Sequence, residues 1–249
     1  MEHSNKIAFI TGANRGIGFE SARELAEKGV KVLLGSRDKA KGDEAAAKLK
    51  TKGLEVQVLP FDVNNLEDHK RAFDFINKNF GRLDILINNA GISLDSLDPS
   101  TGGNNTSKVS TDVLRKTFDA NFFNVVALTQ TLLPLVLKAP AGRIVNLSSI
   151  LSSLGLHSDP KSPIYGAKAF AYDASKTALN AFTVHLAHEL KDTKVKVNSA
   201  HPGWVKTDMG GENATMEVAD GGKTSVQLAL LAENGPTGGL YHMGESLPW

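Results

Sequence analysis

The feature that most constrains the fold is an apolar segment that leads into a glycine-rich turn near the start of the 249-residue chain. Residues 6–11 (KIAFIT) have the composition of a buried strand, and the turn 12–18 (GANRGIG) follows directly. A helical pattern extends over 19–28 and ends at Gly29. Glycines allow the tight connection that such a strand and helix require. This arrangement predicts the start of a βαβ unit.

The same alternation of strand and helix continues along the chain. Further strands are predicted at 31–34, 55–61, 84–87, 143–147, 194–200 and 239–243, and helices at 38–50, 66–79, 112–137 and 173–191. Because the strand segments are apolar on both faces, we expect an α/β fold of the Rossmann type, with a doubly wound, mostly parallel sheet of about seven strands and helices on both faces. Segments 93–110 and 204–222 are predicted loops, and neither divides the chain, so we expect one domain over 1–249.

Composition excludes several classes of protein. Lys plus Arg (28) nearly equals Asp plus Glu (27), which argues against a general binder of nucleic acid or of membrane surfaces. The absence of cysteine rules out disulfides and thiol nucleophiles, and His185, His188 and Glu189 lack a further ligand, so no metal site is predicted. The sequence shows neither a signal-peptide pattern nor an apolar run of about 18 residues, and we expect a cytoplasmic protein.

The glycine-rich turn is a candidate phosphate site. A turn between a strand and a helix offers free backbone N–H groups and the positive end of the helix dipole to a dinucleotide pyrophosphate. The predicted contacts are Gly12, Asn14, Arg15, Gly16, Ile17 and Gly18. The spacing G-x-x-x-G-x-G differs from the commoner G-x-G-x-x-G, and a turn that serves strand–helix packing alone is the alternative.

The end of the second strand indicates which dinucleotide binds. An acidic residue for the ribose 2′-hydroxyl would be expected there, but the chain has Ser36 followed by Arg37. A guanidinium binds a phosphate through two hydrogen bonds, and Arg15 adds a second cation. These residues favour NADP(H). The alternative is a solvated Arg37 with Asp38 on the ribose.

Tyr172 and Lys176 are candidate catalytic residues because a spacing of four places them on one face of a helix. An ammonium group near a phenol stabilises the phenolate, and a phenol so tuned exchanges a proton with a carbonyl or alcohol oxygen. The spacing is common, and a pair on a helix surface is the alternative.

Seven motifs in order then resemble the short-chain dehydrogenase/reductase family. They are the turn 11–18, Asp62-Val63, Asn88-Asn89-Ala90-Gly91, Asn121, Ser148-Ser149, Tyr172-x-x-x-Lys176 and Pro202-Gly203. The resemblance implies that Ser149 binds the substrate oxygen, that Tyr172 is the general acid, that Lys176 binds the nicotinamide ribose and lowers the pKa of the tyrosine, and that Asn121 holds a water. It implies that Asn88 stabilises the central strand. The further implied cofactor contacts are Asp62, Val63, Asn89, Ala90, Gly91, Tyr172, Lys176, Pro202, Gly203, Val205 and Thr207.

Ser149 and Tyr172 are 23 residues apart, about ten more than the family usually has. An insertion at 152–171 is similar to that of monomeric carbonyl reductases, which implies a monomer rather than a homodimer or homotetramer. It contains a second candidate acid, Tyr165, with Lys168 only three residues on.

The expected function is NADPH-dependent reduction of a ketone, aldehyde or quinone, a small-molecule substrate. The alternatives are an NADP-dependent alcohol dehydrogenase of the hydroxysteroid type and a non-catalytic NADP sensor.

Overall fold

The computed structural model describes residues 3, 5–95 and 105–249, so residues 96–104 of the predicted loop 93–110 lie outside the described part. An eight-stranded sheet forms the centre, in the order β3-β2-β1-β4-β5-β6-β7-β8. The strands are β1 Ile7–Ile10, β2 Lys31–Ser36, β3 Val56–Pro60, β4 Ile85–Asn88, β5 Arg143–Leu147, β6 Lys196–Ala200, β7 Leu240–His242 and β8 Glu245–Leu247.

The first seven strands are parallel, and β8 returns antiparallel beside β7. The strand order reverses between β1 and β4, which makes a cleft at their carboxyl ends. The predicted doubly wound class is confirmed, and the count of seven is corrected to eight. The eighth strand was missed because it has three residues, exposed or half-buried, that carry no apolar alternation.

Helices cover both faces of the sheet. They are α1 Gly16–Glu27, α2 Lys39–Lys50, α3 Leu66–Phe80, α4 Thr111–Phe118, α5 Asn124–Val136, α6 Leu154–Ser158, α7 Phe170–Glu189, α8 Val218–Gly221 and α9 Lys223–Ala229. Phe9 and Leu86 belong to a buried cluster that includes residues of α3, α5 and α7, whereas Ile10 and Ile87 belong to one that includes residues of α1, α2 and α9. In the described ranges, no helix is long and apolar enough to span a membrane.

Two helices differ from the prediction in ways that matter for the site. A π-helical segment, Asp119–Phe123, interrupts the predicted helix 112–137 between α4 and α5. Helix α7 begins at Phe170 rather than at Asp173, so Tyr172 lies inside its first turn. The boundary residue Ala169 has no side-chain oxygen to cap this end, so the sequence shows no N-cap residue that marks the start of the helix.

A buried chain of polar side chains links the central strands. Asn88 of β4 donates to Thr129 (3.0 Å) and to Asn146 of β5 (2.8 Å). Asn146 donates to Thr183 of α7 (2.9 Å), and Thr183 shares a 2.9 Å hydrogen bond with Ser199 of β6. This series of hydrogen bonds fits the implied role of Asn88 in stabilising the central strand, because each bond joins a strand to a neighbouring strand or helix.

Candidate active site

The glycine-rich turn joins β1 to the amino end of α1, with Gly12 and Gly16 at φ +64° and +57°. Such angles favour glycine because a Cβ atom is strained there. At Gly18 a Cβ would lie 2.5 Å from Asn89 Nδ2 and 2.6 Å from the Gly12 carbonyl oxygen. The backbone at Gly18 therefore packs directly on the turn, and this contact leaves no room for a side chain.

Asn89 holds this turn from the end of β4. Its side-chain amide donates to the carbonyl oxygens of Thr11 (2.8 Å) and Gly12 (3.1 Å). In the other direction, the Thr11 hydroxyl accepts from the backbone N–H groups of Asn89 (3.0 Å) and Ala90 (2.9 Å). Thr11 thus ties the turn to the predicted cofactor segment, a role that the sequence analysis missed.

The residues after β2 leave one cation unpaired. Asp38 caps α2 by accepting from the Lys41 backbone N–H (3.2 Å), and the Ser36 hydroxyl donates to the Asp38 carbonyl oxygen (2.7 Å). Arg37 is exposed, and no hydrogen bond or ion pair to another described residue is found for its guanidinium. Arg15 is exposed as well, and its guanidinium pairs with Asp208 across the cleft.

The segment after β3 is shaped by two residues that the sequence analysis did not select. Asp68 is buried and accepts from the Asp62 backbone N–H (2.8 Å). His69 is buried, and its Nε2 atom lies 2.8 Å from the Val63 carbonyl oxygen. Burial lowers the pKa of His69, which keeps the ring neutral. The Asp62-Val63 turn is therefore anchored on the first turn of α3.

Ser149, Tyr172 and Lys176 come together at the carboxyl end of β5. The Ser149 hydroxyl is close enough to the Tyr172 phenol to lower its pKa. The Lys176 Nζ atom lies 5.6 Å from the centre of the Tyr172 ring and donates to the Leu147 carbonyl oxygen (2.7 Å). Ser149 and Lys176 are buried in the structure. A tyrosine, a serine and a lysine in this arrangement are able to bind an oxygen and exchange a proton with it.

The pKa values of Tyr172 and Lys176 differ from the expectation that the lysine lowers the pKa of the tyrosine. Burial raises the pKa of Tyr172 to about 12, although the nearby Ser149 hydroxyl acts in the opposite direction. Burial lowers the pKa of Lys176 to about 8. Desolvation therefore dominates the pKa of Tyr172, and the lowering by Lys176 that the resemblance implies is not found. Tyr172 holds its proton at neutral pH, as an acid must before it donates.

Asn121 lies in the π-helical segment, a kind of distortion that is frequent at functional sites. Its side chain accepts from the Ile92 backbone N–H (2.8 Å) and donates to the Ile92 carbonyl oxygen (2.8 Å) and the Ser175 hydroxyl (3.0 Å). A Cβ atom at Gly91 would lie 3.2 Å from Asn121 Oδ1 and 3.4 Å from Lys176 Nζ. Gly91 thus keeps a narrow space open between these two residues.

The loop after β6 closes over the glycine-rich turn. Gly203 has a φ of +90°, and Val205 pairs with Met216 in an isolated bridge. Thr207 reaches the turn, since its Cγ2 atom lies 3.6 Å from where a Cβ of Gly16 would be. Trp204 and Met209 are about half exposed beside these residues.

The alternative acid Tyr165 is in a different environment. Its side chain is exposed, and the Lys168 Nζ atom lies over its ring at 5.1 Å. In the part of the chain that the structure describes, the Ser149 hydroxyl acts on the pKa of Tyr172. The arrangement favours Tyr172 as the reactive phenol.

The donor set fits a dinucleotide. Free backbone N–H groups of the glycine-rich turn face the cleft at the amino end of α1, and Arg37 lies at the neighbouring strand end. Gly91 lies next to Lys176, and a side chain at this position would crowd the lysine. No group of three or more potential metal ligands occurs among residues 3, 5–95 and 105–249.

Comparison with known proteins supports a family assignment. The family model described as short chain dehydrogenase matches residues 6–218. Carbonyl reductase [NADPH] 1 of Rattus norvegicus is 31% identical over an alignment that covers 100% of both chains. The carbonyl reductase Sniffer of D. melanogaster has a TM-score of 0.84 at 28% identity, covering 99% of this chain and 100% of that one.

A third similar protein is a carbonyl reductase from chicken fatty liver whose structure has NADPH bound. Its TM-score is 0.83 at 25% identity, with 98% of this chain and 94% of that chain covered. The family match and the identity over the full length agree with the seven motifs and with the order of the strands. The chain belongs to the short-chain dehydrogenase family.

Proposed function

We propose that this protein is an NADPH-dependent carbonyl reductase that transfers a hydride to a ketone, aldehyde or quinone, with Tyr172 as the general acid. The observation that carries the proposal is the group of Ser149, Tyr172 and Lys176 at the carboxyl edge of the sheet, in which Ser149 and Lys176 are buried and Tyr172 is half-buried. The carbonyl reductases among its relatives support the same reaction. We further propose that one domain contains both the cofactor site and the catalytic residues.

The residues of the chain would act on the substrate oxygen. Bound NADPH would supply the hydride. Reduction builds negative charge on the carbonyl oxygen, and the hydroxyl groups of Ser149 and Tyr172 would donate hydrogen bonds to it. Tyr172 would then give its proton to that oxygen, which completes the alcohol. The ammonium group of Lys176, 5.6 Å from the centre of the phenol ring, would stabilise the phenolate that remains.

The proposed preference for NADPH rests on the residues after β2. Arg37 is exposed and without an ion pair to any described residue, whereas the Asp38 carboxylate accepts a hydrogen bond from the α2 backbone. A free guanidinium is suited to a 2′-phosphate, and a carboxylate committed to a helix cap is a poor partner for a ribose hydroxyl. Arg15 would serve as a second cation after leaving Asp208.

The experiment that tests the function is a rate measurement with NADPH and with NADH against a panel of ketones, aldehydes and quinones. Mass spectrometry of the product, with deuterium at the transferable position of the cofactor, identifies the alcohol and the origin of its new hydrogen. We expect deuterium in the alcohol and faster turnover with NADPH. NADPH binding without turnover on the panel or with the matching alcohols plus NADP would contradict the proposal and favour a sensor.

A further inference from the structure

The first turn of α7 carries Tyr172, and the residue at its boundary does not cap its N–H groups. The residue at the helix boundary is Ala169, whose methyl group cannot accept a hydrogen bond. The first N–H groups of any helix lack partners within the helix. Because a buried N–H without a partner is costly, another group must satisfy the N–H groups next to Tyr172.

Asp95 satisfies them from a distant part of the chain. One carboxylate oxygen accepts from the Ala171 backbone N–H (3.0 Å), and the other accepts from the Tyr172 backbone N–H (2.9 Å). The residues are separated by 76 and 77 positions in sequence, so this is a tertiary contact and not a local cap. A carboxylate at the amino end of a helix also interacts favourably with the helix dipole.

Asp95 is close in sequence to the residues that hold Asn121. Ile92, three positions earlier, makes both of its backbone hydrogen bonds with the Asn121 side chain at 2.8 Å. Gly91 lies beside Lys176. One short segment after β4 therefore contacts Asn121, the space near Lys176 and the helix turn of Tyr172. Its position sets where these groups stand relative to one another.

A second carboxylate brings the insertion to the same turn. Asp173 accepts from the Ala169 backbone N–H (3.0 Å), and His157 Nε2 lies 3.4 Å from the accepting oxygen. Lys168 Nζ lies 3.0 Å from the other ring nitrogen of His157. Burial chiefly, and the charge of Asp95 in addition, raise the pKa of Asp173 to about 7. Asp173 is thus only partly charged at neutral pH, and it does not contact the N–H of Tyr172.

We propose that Asp95 is a positioning residue for the reduction: its carboxylate fixes the first turn of α7 and thereby holds the Tyr172 hydroxyl in place beside Ser149. Asp95 binds backbone N–H groups and acts on the reaction through Tyr172. The inference rests on the proposed function of Tyr172 as the acid. Because a small displacement of a reacting group lowers the rate steeply, the effect belongs in kcat rather than in cofactor binding.

The test is Asp95→Asn, which keeps the size of the side chain and replaces one accepting oxygen with a donor. We expect kcat to fall on the order of tenfold or more while the Kd for NADPH stays within about twofold. Hydrogen exchange at the amides of residues 171 and 172 should accelerate without a change in β1 or β4. Asp159→Asn is the matched control, because Asp159 caps only the local Lys161 N–H (2.9 Å) in an exposed turn.

Several outcomes would overturn the inference. Because Asn is isosteric with Asp, an unchanged kcat in Asp95→Asn would show that the carboxylate has no positioning role. If kcat fell only in proportion to the fraction of protein that no longer binds NADPH, Asp95 would have a role in folding alone. The wild-type chain in the same assay separates the two proposals. No carbonyl turnover in the wild type contradicts the proposed function, whereas full turnover in both chains contradicts only the role of Asp95.

Discussion

The ammonium group of Lys176 is buried, and its burial lowers the stability of the folded protein. Its side chain is 4% exposed, and burial lowers its pKa from 10.5 to about 8. Below pH 8 the folded protein bears the cost of the buried ammonium, and this cost disappears as pH rises from about 8 to 10.5, where only the unfolded chain still binds the proton. Lys176 should therefore destabilise the protein at neutral pH when no ligand is bound.

We predict that Lys176→Met is more stable than the wild type at pH 7 by about 1–2 kcal/mol, since the pKa shift corresponds to about 3 kcal/mol and one hydrogen bond is lost. Urea unfolding at pH 7, 8.5 and 10 measures the difference, which should shrink as pH rises. A variant less stable than the wild type at pH 7 would mean that the ammonium is well solvated or paired. The variant should also lose carbonyl turnover.

Arg37 is the residue for which cofactor choice is most directly testable. Because charge-assisted hydrogen bonds to a phosphate contribute roughly 1.5–3 kcal/mol, Arg37→Asp should weaken NADPH binding by about 10- to 100-fold and shift the preference toward NADH. Fluorescence titration with both cofactors gives the ratio. Lys52→Asp, an equal charge change at an exposed residue after α2, is the control. An unchanged NADPH-to-NADH ratio in Arg37→Asp would contradict the assignment of the 2′-phosphate.

Some residues of the site could be predicted from the sequence and others could not. Tyr172, Lys176 and Ser149 were selected because their spacing and order are visible in the chain. Thr11, Asp68 and Asp95 were missed, since each acts by accepting from backbone N–H groups that its sequence neighbours do not reveal. Thr11 was within reach, because it is the last residue of the predicted first strand and stands directly before the turn that it holds.

At the level of elements, the glycine-rich turn is held by close packing between backbones. A Cβ at residue 18 would lie 2.6 Å from the Gly12 carbonyl oxygen and would displace the turn. We predict that Gly18→Ala destabilises the protein by about 1–3 kcal/mol and raises the Kd for NADPH at least tenfold. Thermal unfolding and titration measure both effects. Gly166→Ala, where nothing lies within 4 Å, should change neither. Wild-type NADPH affinity in Gly18→Ala would exclude the turn as the phosphate site.

The helices show why periodicity alone locates a site only approximately. The apolar pattern over 112–137 is continuous and predicts one helix, yet the backbone widens into a π-helical segment at Asp119–Phe123. There the Asn121 side chain hydrogen-bonds to Ile92, a contact between distant segments that the local pattern does not encode. The start of α7 was placed three residues late for a similar reason, because Asp95 caps it from another loop.

At the scale of the whole molecule, the doubly wound, mostly parallel sheet followed from the alternation of strands and helices, but its last edge strand did not. Seven strands were predicted because each parallel strand is an apolar run between helices, whereas β8 is held only by its antiparallel pairing with β7. The insertion likewise makes a contact within the chain that could not be predicted from the sequence. Its Ser153 hydroxyl and Gly155 N–H donate to the Trp249 carbonyl oxygen at 3.0 and 3.2 Å.

This contact bears on the oligomeric state. The insertion and Trp249 lie against the outer face of α7, around a groove that Leu154, Ala181, Val184 and Trp249 line. The insertion is similar to that of monomeric carbonyl reductases, a resemblance that implies a monomer. We therefore predict a monomer of 26.6 kDa by light scattering at micromolar concentration. A stable dimer or tetramer would show that the insertion does not close this face.

The most direct test of the account as a whole is carbonyl-dependent oxidation of NADPH by the wild type, Tyr172→Phe and Tyr165→Phe, with NADPH affinity measured on the same samples. We predict that Tyr172→Phe binds NADPH as the wild type does and loses turnover by about 100-fold or more, because general acid catalysis contributes about that much. Tyr165→Phe should retain the wild-type rate. Substantial turnover in Tyr172→Phe, or its loss in Tyr165→Phe, would contradict the central claim that Tyr172 donates the proton.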